Sequence, residues 1–278
     1  MLLNILHETV YHYDTAASYS LQYMRLTPRA DGGQRVLHWR IDVPGRRSSH
    51  IDAFGNAVYV TSLIDKHKDV RVVAQGQVET CEERGMLLPH ESAVPPLAFA
   101  LPTLLTTTDA VLEAFTANVL GDLHGADLMD AEPLHALVQA IHEKVVYVQG
   151  VTTVANTAAD VMAKGQGVCQ DMAHVFLACC RARGIPARYV SGYLLTDAEH
   201  AASHAWVEAW LPHARAGKGA WLGFDVTHNR MAGPELCRLA VGRDYADACP
   251  IRGIHVGGSG ETMHVSVGVQ GGLPALDQ

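Results

Sequence analysis

Apolar residues Val168, Met172, Val175, Phe176, Cys179 and Cys180 recur at three- and four-residue spacing, the stripe of a helix that buries one face. Gly184 and Pro186 supply its stop, because glycine accepts the left-handed cap and proline cannot continue a helix. The loop Gly165-Gln166-Gly167-Val168 runs into this helix and delivers Cys169 to its first turn. The first 80 residues carry a different pattern. They alternate or use β-favouring residues, which predicts strands over 2–13, 18–27, 35–43 and 70–78. Asp14-Thr15-Ala16 and Asp31-Gly32-Gly33 read as turns, and Phe54-Gly55-Asn56-Ala57 as a hairpin turn between Ile51 and Val58-Tyr59-Val60. Short strands with frequent turns suggest a small sandwich or barrel.

From Cys81 to about Pro102 the sequence turns Pro-rich and weakly periodic, as in Leu88-Pro89-His90 and Val94-Pro95-Pro96, the texture of a linker. Helices are expected over 108–119 and 132–146, with Asp109 and Asp130 as caps or first-turn acids. A short helix over 158–164 leads into the glycine loop. Strands follow over 187–195, 204–211 and 221–226, and the tail alternates again over 263–269. The resulting partition is a β-rich N-terminal domain over 1–80, a linker and helical segment over 81–130, and a core over 131–278 that includes the C-terminal strand.

Composition narrows the function classes. With 278 residues, 48% hydrophobic and 18% charged, the chain is globular, of one large or two ordinary domains. A formal charge of -8 argues against a nucleic-acid partner, since phosphate contacts need clustered Lys and Arg. None of the sixteen histidines falls in an HExxH or CxxC-type pattern, so neither a metal nor another cofactor is expected. Six cysteines in a chain of this size do not form a disulfide framework. The N-terminus lacks the basic flank and apolar run of a signal peptide, and no stretch approaches the ~20 apolar residues of a membrane span. A cytoplasmic protein without a membrane partner is the expectation.

The candidate chemistry begins at Cys169. A helix N-terminus leaves N–H groups unpaired and puts the positive end of the dipole there, an environment that favours a thiolate. A thiolate nucleophile needs a base, and the base needs a group that fixes its tautomer. His204 opens the strand His204-Ala205-Trp206-Val207-Glu208, and Asp225 ends the strand Gly223-Phe224-Asp225. In an antiparallel pair the start of one strand lies beside the end of the next, which would set Asp225 beside His204. Taken singly, each residue has a plainer reading: a small buried cysteine, a packed histidine, a turn aspartate. For the oxyanion, the backbone N–H of Cys169 is the first donor expected and Gln166 a candidate second. Trp206 and Tyr147 are alternatives to Gln166, with core packing the plainer role of each, and Asp171 reads as a structural tie to the loop. His174 faces away from Cys169 around the helix, and Cys179-Cys180 read as core.

The segments Gly-Val-Cys-Gln-Asp-Met-Ala-His, Arg-Gly-Ile-Pro-Ala-Arg-Tyr-Val-Ser-Gly-Tyr, His-Ala-Trp-Val-Glu-Ala-Trp and Gly-Phe-Asp-Val-Thr together closely resemble the transglutaminase-like superfamily. The resemblance spans about residues 145–230. The first eighty residues resemble the β-rich N-terminal domain of the family's bacterial cysteine-protease branch. Val226 departs from the family pattern, where proline is common. The resemblance implies an α+β fold with a papain-like core, its cysteine helix packed on an antiparallel sheet, and a Cys169–His204–Asp225 triad. It further implies acyl transfer through a thioester, with hydrolysis of a peptide, protein or small-amide substrate as the first reading. Transfer to an amine, as in a protein-glutamine γ-glutamyltransferase, is the alternative, and a non-catalytic binding module of the same fold is a third. A thiol-redox role would need a resolving cysteine, and Cys179 lies ten residues on, about 15 Å along a helix.

Overall fold

The computed structural model describes residues 1–31, 33–196 and 203–272. Strands β1 (Leu2–Met24), β2 (Gln34–Asp42), β3 (Arg46–Ile51), β4 (Ala57–Leu63) and β5 (His67–Thr80) form an N-terminal antiparallel sheet in the order β2-β5-β1-β4-β3. Leu3, Ile5, Ile41, Val72, Ala74 and Val78 bury one face of it, the alternation that the sequence carries.

Three features depart from the sequence reading. Asp14-Thr15-Ala16 is no turn. The strand runs through it as a bulge, the register against β5 jumping from His12 to Ala17, and the extra residues bend the strand without ending it. Ile51 closes a strand that the sequence reading left out, because the polar stretch Arg46-Arg47-Ser48-Ser49-His50 is exposed on the sheet's edge. The turn before β4 does fall at residues 52–56, held by Asp52, whose carboxylate accepts from the N–H groups of Phe54 and Asn56. Of the expected turn at Asp31-Gly32-Gly33, Gly32 lies outside the described residues.

The linker is also more structured than its composition suggests. Within it, β6 (Leu87–Leu88) pairs with the core sheet, and Phe99 is wholly buried against Leu88 and Trp221. Helix α1 (Ala110–Leu120) is capped by Asp109, whose carboxylate accepts from the N–H of Leu112 at 2.8 Å. Helix α2 (Glu132–Lys144) follows, then β7 (Val146–Tyr147), α3 (Ala158–Lys164), β8 (Gln166–Gly167) and α4 (Cys169–Ala182).

The core sheet contains β9 (Ala187–Leu194), β10 (Ser203–Leu211), β11 (Ala220–Asp225), β12 (Arg230–Met231) and β13 (Leu236–Gly242), in the order β12-β11-β10-β9-β13. A short helix, α5 (Ala214–Gly217), joins β10 to β11. Helix α4 packs on β9 and β10, and its buried face joins α1–α3 in the largest core cluster. The sequence reading lacked β13 because its residues are buried on both faces and show no alternation.

After α6 (Tyr245–Ala248), the chain leaves the core. Strands β14 (Ile251–Gly257) and β15 (Thr262–Gly272) pair end to end along the free edge of β1. The C-terminal strand, grouped by the sequence reading with the core, therefore completes the N-terminal sheet, which reaches seven strands. Alternation identifies a strand, but the choice of edge depends on which ladder is left unpaired. The last six residues lie outside the described range.

Candidate active site

Three local devices set Cys169 in place. Gly165 caps α3 with a left-handed φ of 65°, which a glycine adopts without penalty. The chain then makes a two-residue parallel pairing of β8 with β7. Asp171 folds back over this loop, its Oδ2 accepting from the Val168 N–H at 2.8 Å and from the Thr152 hydroxyl at 2.7 Å. Gly167 makes room for it: a Cβ there would stand 2.7 Å from both Cβ and Oδ2 of Asp171. Cys169 is thereby the first residue of α4. The N–H groups of Asp171 and Met172 reach the Val168 carbonyl, so those of Cys169 and Gln170 are the ones left without a helical acceptor.

Cys169 is partly buried and packs against the main core. It lies close enough to His204 to raise the pKa of that ring. Strands β10 and β11 are antiparallel with Val207 opposite Phe224, and this register lets the His204 Nε2 donate to Asp225 Oδ1 at 3.0 Å. Nδ1 is the ring nitrogen that remains for Cys169. Trp206 stacks on the His204 ring with 22° between the planes, and is itself buried among Val190, Leu194 and Val241. Tyr147, in contrast to the packing expected of it, is half exposed on β7. Burial and the neighbouring Cys169 both push its hydroxyl pKa up.

The electrostatics of the trio follow from burial set against pairing. Burial alone would lower the His204 pKa, but its hydrogen bonds to Asp225 and Cys169 and the charges they carry raise it to about 10. Burial would likewise raise Asp225. Hydrogen bonds from His204 and from His228 outweigh this and hold the carboxyl well below the usual range.

His228 was not singled out from the sequence. It sits in the turn after β11, three residues beyond Asp225, and its Nδ1 lies 2.7 Å from Asp225 Oδ2. The Arg230 guanidinium stands 3.6 Å from the same oxygen. A histidine at i+3 of a strand-ending aspartate was the only sequence signal. Ligand atoms of His204, Asp225 and His228 lie within 4.8 Å of one another, close enough to hold an ion. The hydrogen bonds from both rings to one carboxylate already account for that closeness.

The other sequence candidates sort by position. Gln166 is exposed on β8 and makes no described hydrogen bond within the trio. His174 is buried and accepts from the Tyr245 N–H through Nε2; burial lowers its pKa to about 3, so it stays neutral. Burial pushes the Cys179 thiol up to about 12 and Cys180 well above the thiol range, as core residues require. Among the described residues, no helix is long and apolar enough to cross a membrane.

Comparison with known proteins bears on the same elements. Residues 118–226 match the family described as "Transglutaminase-like superfamily", and residues 3–79 match "Bacterial transglutaminase-like N-terminal region". An uncharacterized protein of Mycobacterium leprae (strain TN) is 32% identical over 281 residues, covering 95% of this chain and 97% of its own. One from Mycobacterium tuberculosis (strain ATCC 25618 / H37Rv) is 30% identical over 293 residues, covering 95% and 91%. The solved structure of "a Putative Cysteine Protease from Cytophaga hutchinsonii" superposes with a TM-score of 0.77 over 98% of this chain and 91% of that one. At 22% identity that likeness is one of fold.

Proposed function

Because the chain belongs to the transglutaminase-like superfamily, with the bacterial N-terminal region ahead of its core, we propose that it is a thiol-dependent acyl-transfer enzyme that hydrolyses peptide or amide bonds through Cys169, His204 and Asp225. The carrying observation is the His204 ring, held by a 3.0 Å hydrogen bond to the buried Asp225 and near enough to Cys169 for that thiol to raise its pKa.

In this reading His204 Nδ1 already holds the proton, in keeping with its raised pKa, as the Cys169 sulfur adds to the substrate carbonyl carbon. Negative charge on the carbonyl oxygen meets the Cys169 N–H at the start of α4, with Gln166 the candidate for a second donor. The C–N bond then breaks as His204 gives its proton to the departing amine, leaving a thioester. Water attacks that thioester while His204 removes its proton, the C–S bond breaks, and the proton stays on His204 beside the sulfur. Asp225 keeps Nε2 protonated, so Nδ1 faces the thiol in both steps. Expected partners are a peptide, a protein or a small amide, in a cytoplasmic setting.

Iodoacetamide labelling followed by intact mass across pH 5–9 tests the pair. Cys169 should label fastest of the six thiols, the fast phase should vanish in Cys169→Ala, and its pH profile should move in His204→Ala. Cys81 is the other partly exposed thiol, and a Cys81→Ser background removes its contribution. Labelling of Cys169 no faster than of the other thiols, together with indifference to His204, would overturn the reading. A peptide and amide library, with and without added amine, then separates hydrolysis from amine transfer.

A further inference from the structure

One face of the N-terminal sheet is divided between two tasks. In the pairing of β1 with β15, Leu3 and Ile5 stand opposite Gly271 and Val269. With Val267 and Val269 they bury against Tyr193, Cys237 and Leu239 of the core sheet. The same face continues along both strands. His7 faces Val267, Thr9 faces Val265 and Tyr11 faces Met263. Here it still touches the core sheet through His7, whose ring meets Tyr193. It walls a cleft of ≈ 200 Å³ whose opposite side is Gln170, Ser203 and Tyr245.

Gln170 and Ser203 are the chain neighbours of Cys169 and His204. Adjacent Cα atoms stand ~3.8 Å apart, so the backbone of nucleophile and base borders the cleft, although the Cys169 and His204 side chains do not line it. At ≈ 200 Å³ it suits one amino-acid side chain and falls short of the ~300 Å³ at which small-molecule pockets begin.

The described residues of the lining carry no charge near neutrality. Burial lowers the His7 pKa to about 4, and both ring nitrogens are engaged, Nδ1 with the Tyr193 hydroxyl and Nε2 with Thr9 Oγ1. Burial raises Tyr11 and Tyr245, so both remain phenols. Among the described residues, no lysine, arginine, aspartate or glutamate lines the cleft. A charged side chain entering it would shed water without meeting a counter-ion. An uncharged one would meet Met263, Val265 and Ile251 along its length. The Gln170 amide and the Tyr11 and Ser203 hydroxyls make no described hydrogen bond and could serve its polar end.

Resting on the acyl-transfer reading above, we propose that this cleft is a specificity pocket for one uncharged side chain, apolar or carboxamide-bearing, on the acyl half of the substrate. That half remains bonded to Cys169 through both steps, so a pocket flanking nucleophile and base acts on it throughout. The N-terminal sheet and the returning β15 thereby help to select substrate.

The test uses peptidyl aldehydes or fluoromethyl ketones with Leu, Gln, Glu or Lys beside the electrophile. Their rates on Cys169 are normalised to iodoacetamide on the same protein. Leu and Gln probes should react at least about tenfold faster than Glu and Lys probes on the wild type. Val265→Glu, or Met263→Glu on the same exposed strand, should turn the preference toward Lys. Equal normalised rates for all four probes, or a preference that neither variant moves, would overturn the pocket while leaving the acyl-transfer reading intact. Failure of iodoacetamide to label Cys169 preferentially would remove the acyl-transfer reading, and the pocket with it.

Discussion

The most consequential residue is Asp225, whose single carboxylate receives hydrogen bonds from two histidines while wholly shielded from water. Its pairing is tied to the stability of the fold through His204. That ring has a pKa of about 10 in the folded protein against an ordinary 6.5. Linkage fixes the sign: a raised folded pKa contributes stability that is complete below about pH 6.5 and is lost as pH climbs toward 10. Asp225, with its depressed pKa, contributes above the usual carboxylate range and loses that contribution as the solution becomes acidic. Thermal melts between pH 6 and 10 should therefore fall more steeply for the wild type than for Asp225→Asn, in which the neutral amide no longer holds the His204 proton. Parallel curves would refute the assignment of His204's proton to this pair.

At the level of elements, the junction of α3, β8 and α4 does the positioning. Gly167 has ordinary backbone angles, so its requirement is spatial: the close approach of Asp171 leaves no room for a methyl group. Gly167→Ala must displace Asp171 and give up its bonds to Val168 and Thr152. A stability loss of about 1–3 kcal/mol is expected, as for an overpacked site, read from urea midpoints. Slower Cys169 labelling should accompany it, because the N-terminus of α4 loses its tie. A variant that is destabilised but labels at the wild-type rate would show that Asp171 supports the helix without positioning the thiol.

At the level of the whole molecule, the two sheets are joined by apolar contact and by a buried chain of charges. Glu208 on β10 accepts from Arg188 Nε at 2.7 Å and from Arg238 Nη2 at 3.3 Å. Arg238 Nη1 reaches Asp31, in the segment after β1, at 2.6 Å. Burial would raise the Glu208 pKa, but the two arginines outweigh it and keep the carboxylate ionised. Glu208→Gln leaves two buried guanidiniums short of an anion. It should cost about 3–5 kcal/mol, the usual penalty for removing one partner of a buried pair. Urea unfolding monitored by tryptophan fluorescence measures this, and a loss below about 1 kcal/mol, the range of a surface pair, would mean that the network is solvated.

Features encoded over a few consecutive residues are legible without the fold. The cysteine helix follows from 3.6-residue periodicity and a Gly-Pro stop, α3 and the cap of α1 from local chemistry, and β9, β10 and β11 from apolar and β-branched runs. The order Cys169, His204, Asp225 was legible too, because three short motifs stand in that sequence. The pairings, by contrast, are set by long-range packing. The tail strand reads as a strand in isolation, but only the unpaired edge of β1 determines that it joins the N-terminal sheet. The bulge at residues 13–16 looks like a turn until the ladders on either side hold the strand extended. His228 became part of the site only when the turn after β11 brought its ring to the free oxygen of Asp225. The cleft beside Cys169 has walls at residues 7–11, 170, 203, 245 and 263–265, which no local window joins. Periodicity and turn chemistry act over a few residues, whereas the choice of strand edge and the juxtaposition of distant side chains are set by which surfaces remain to be buried once those elements have formed.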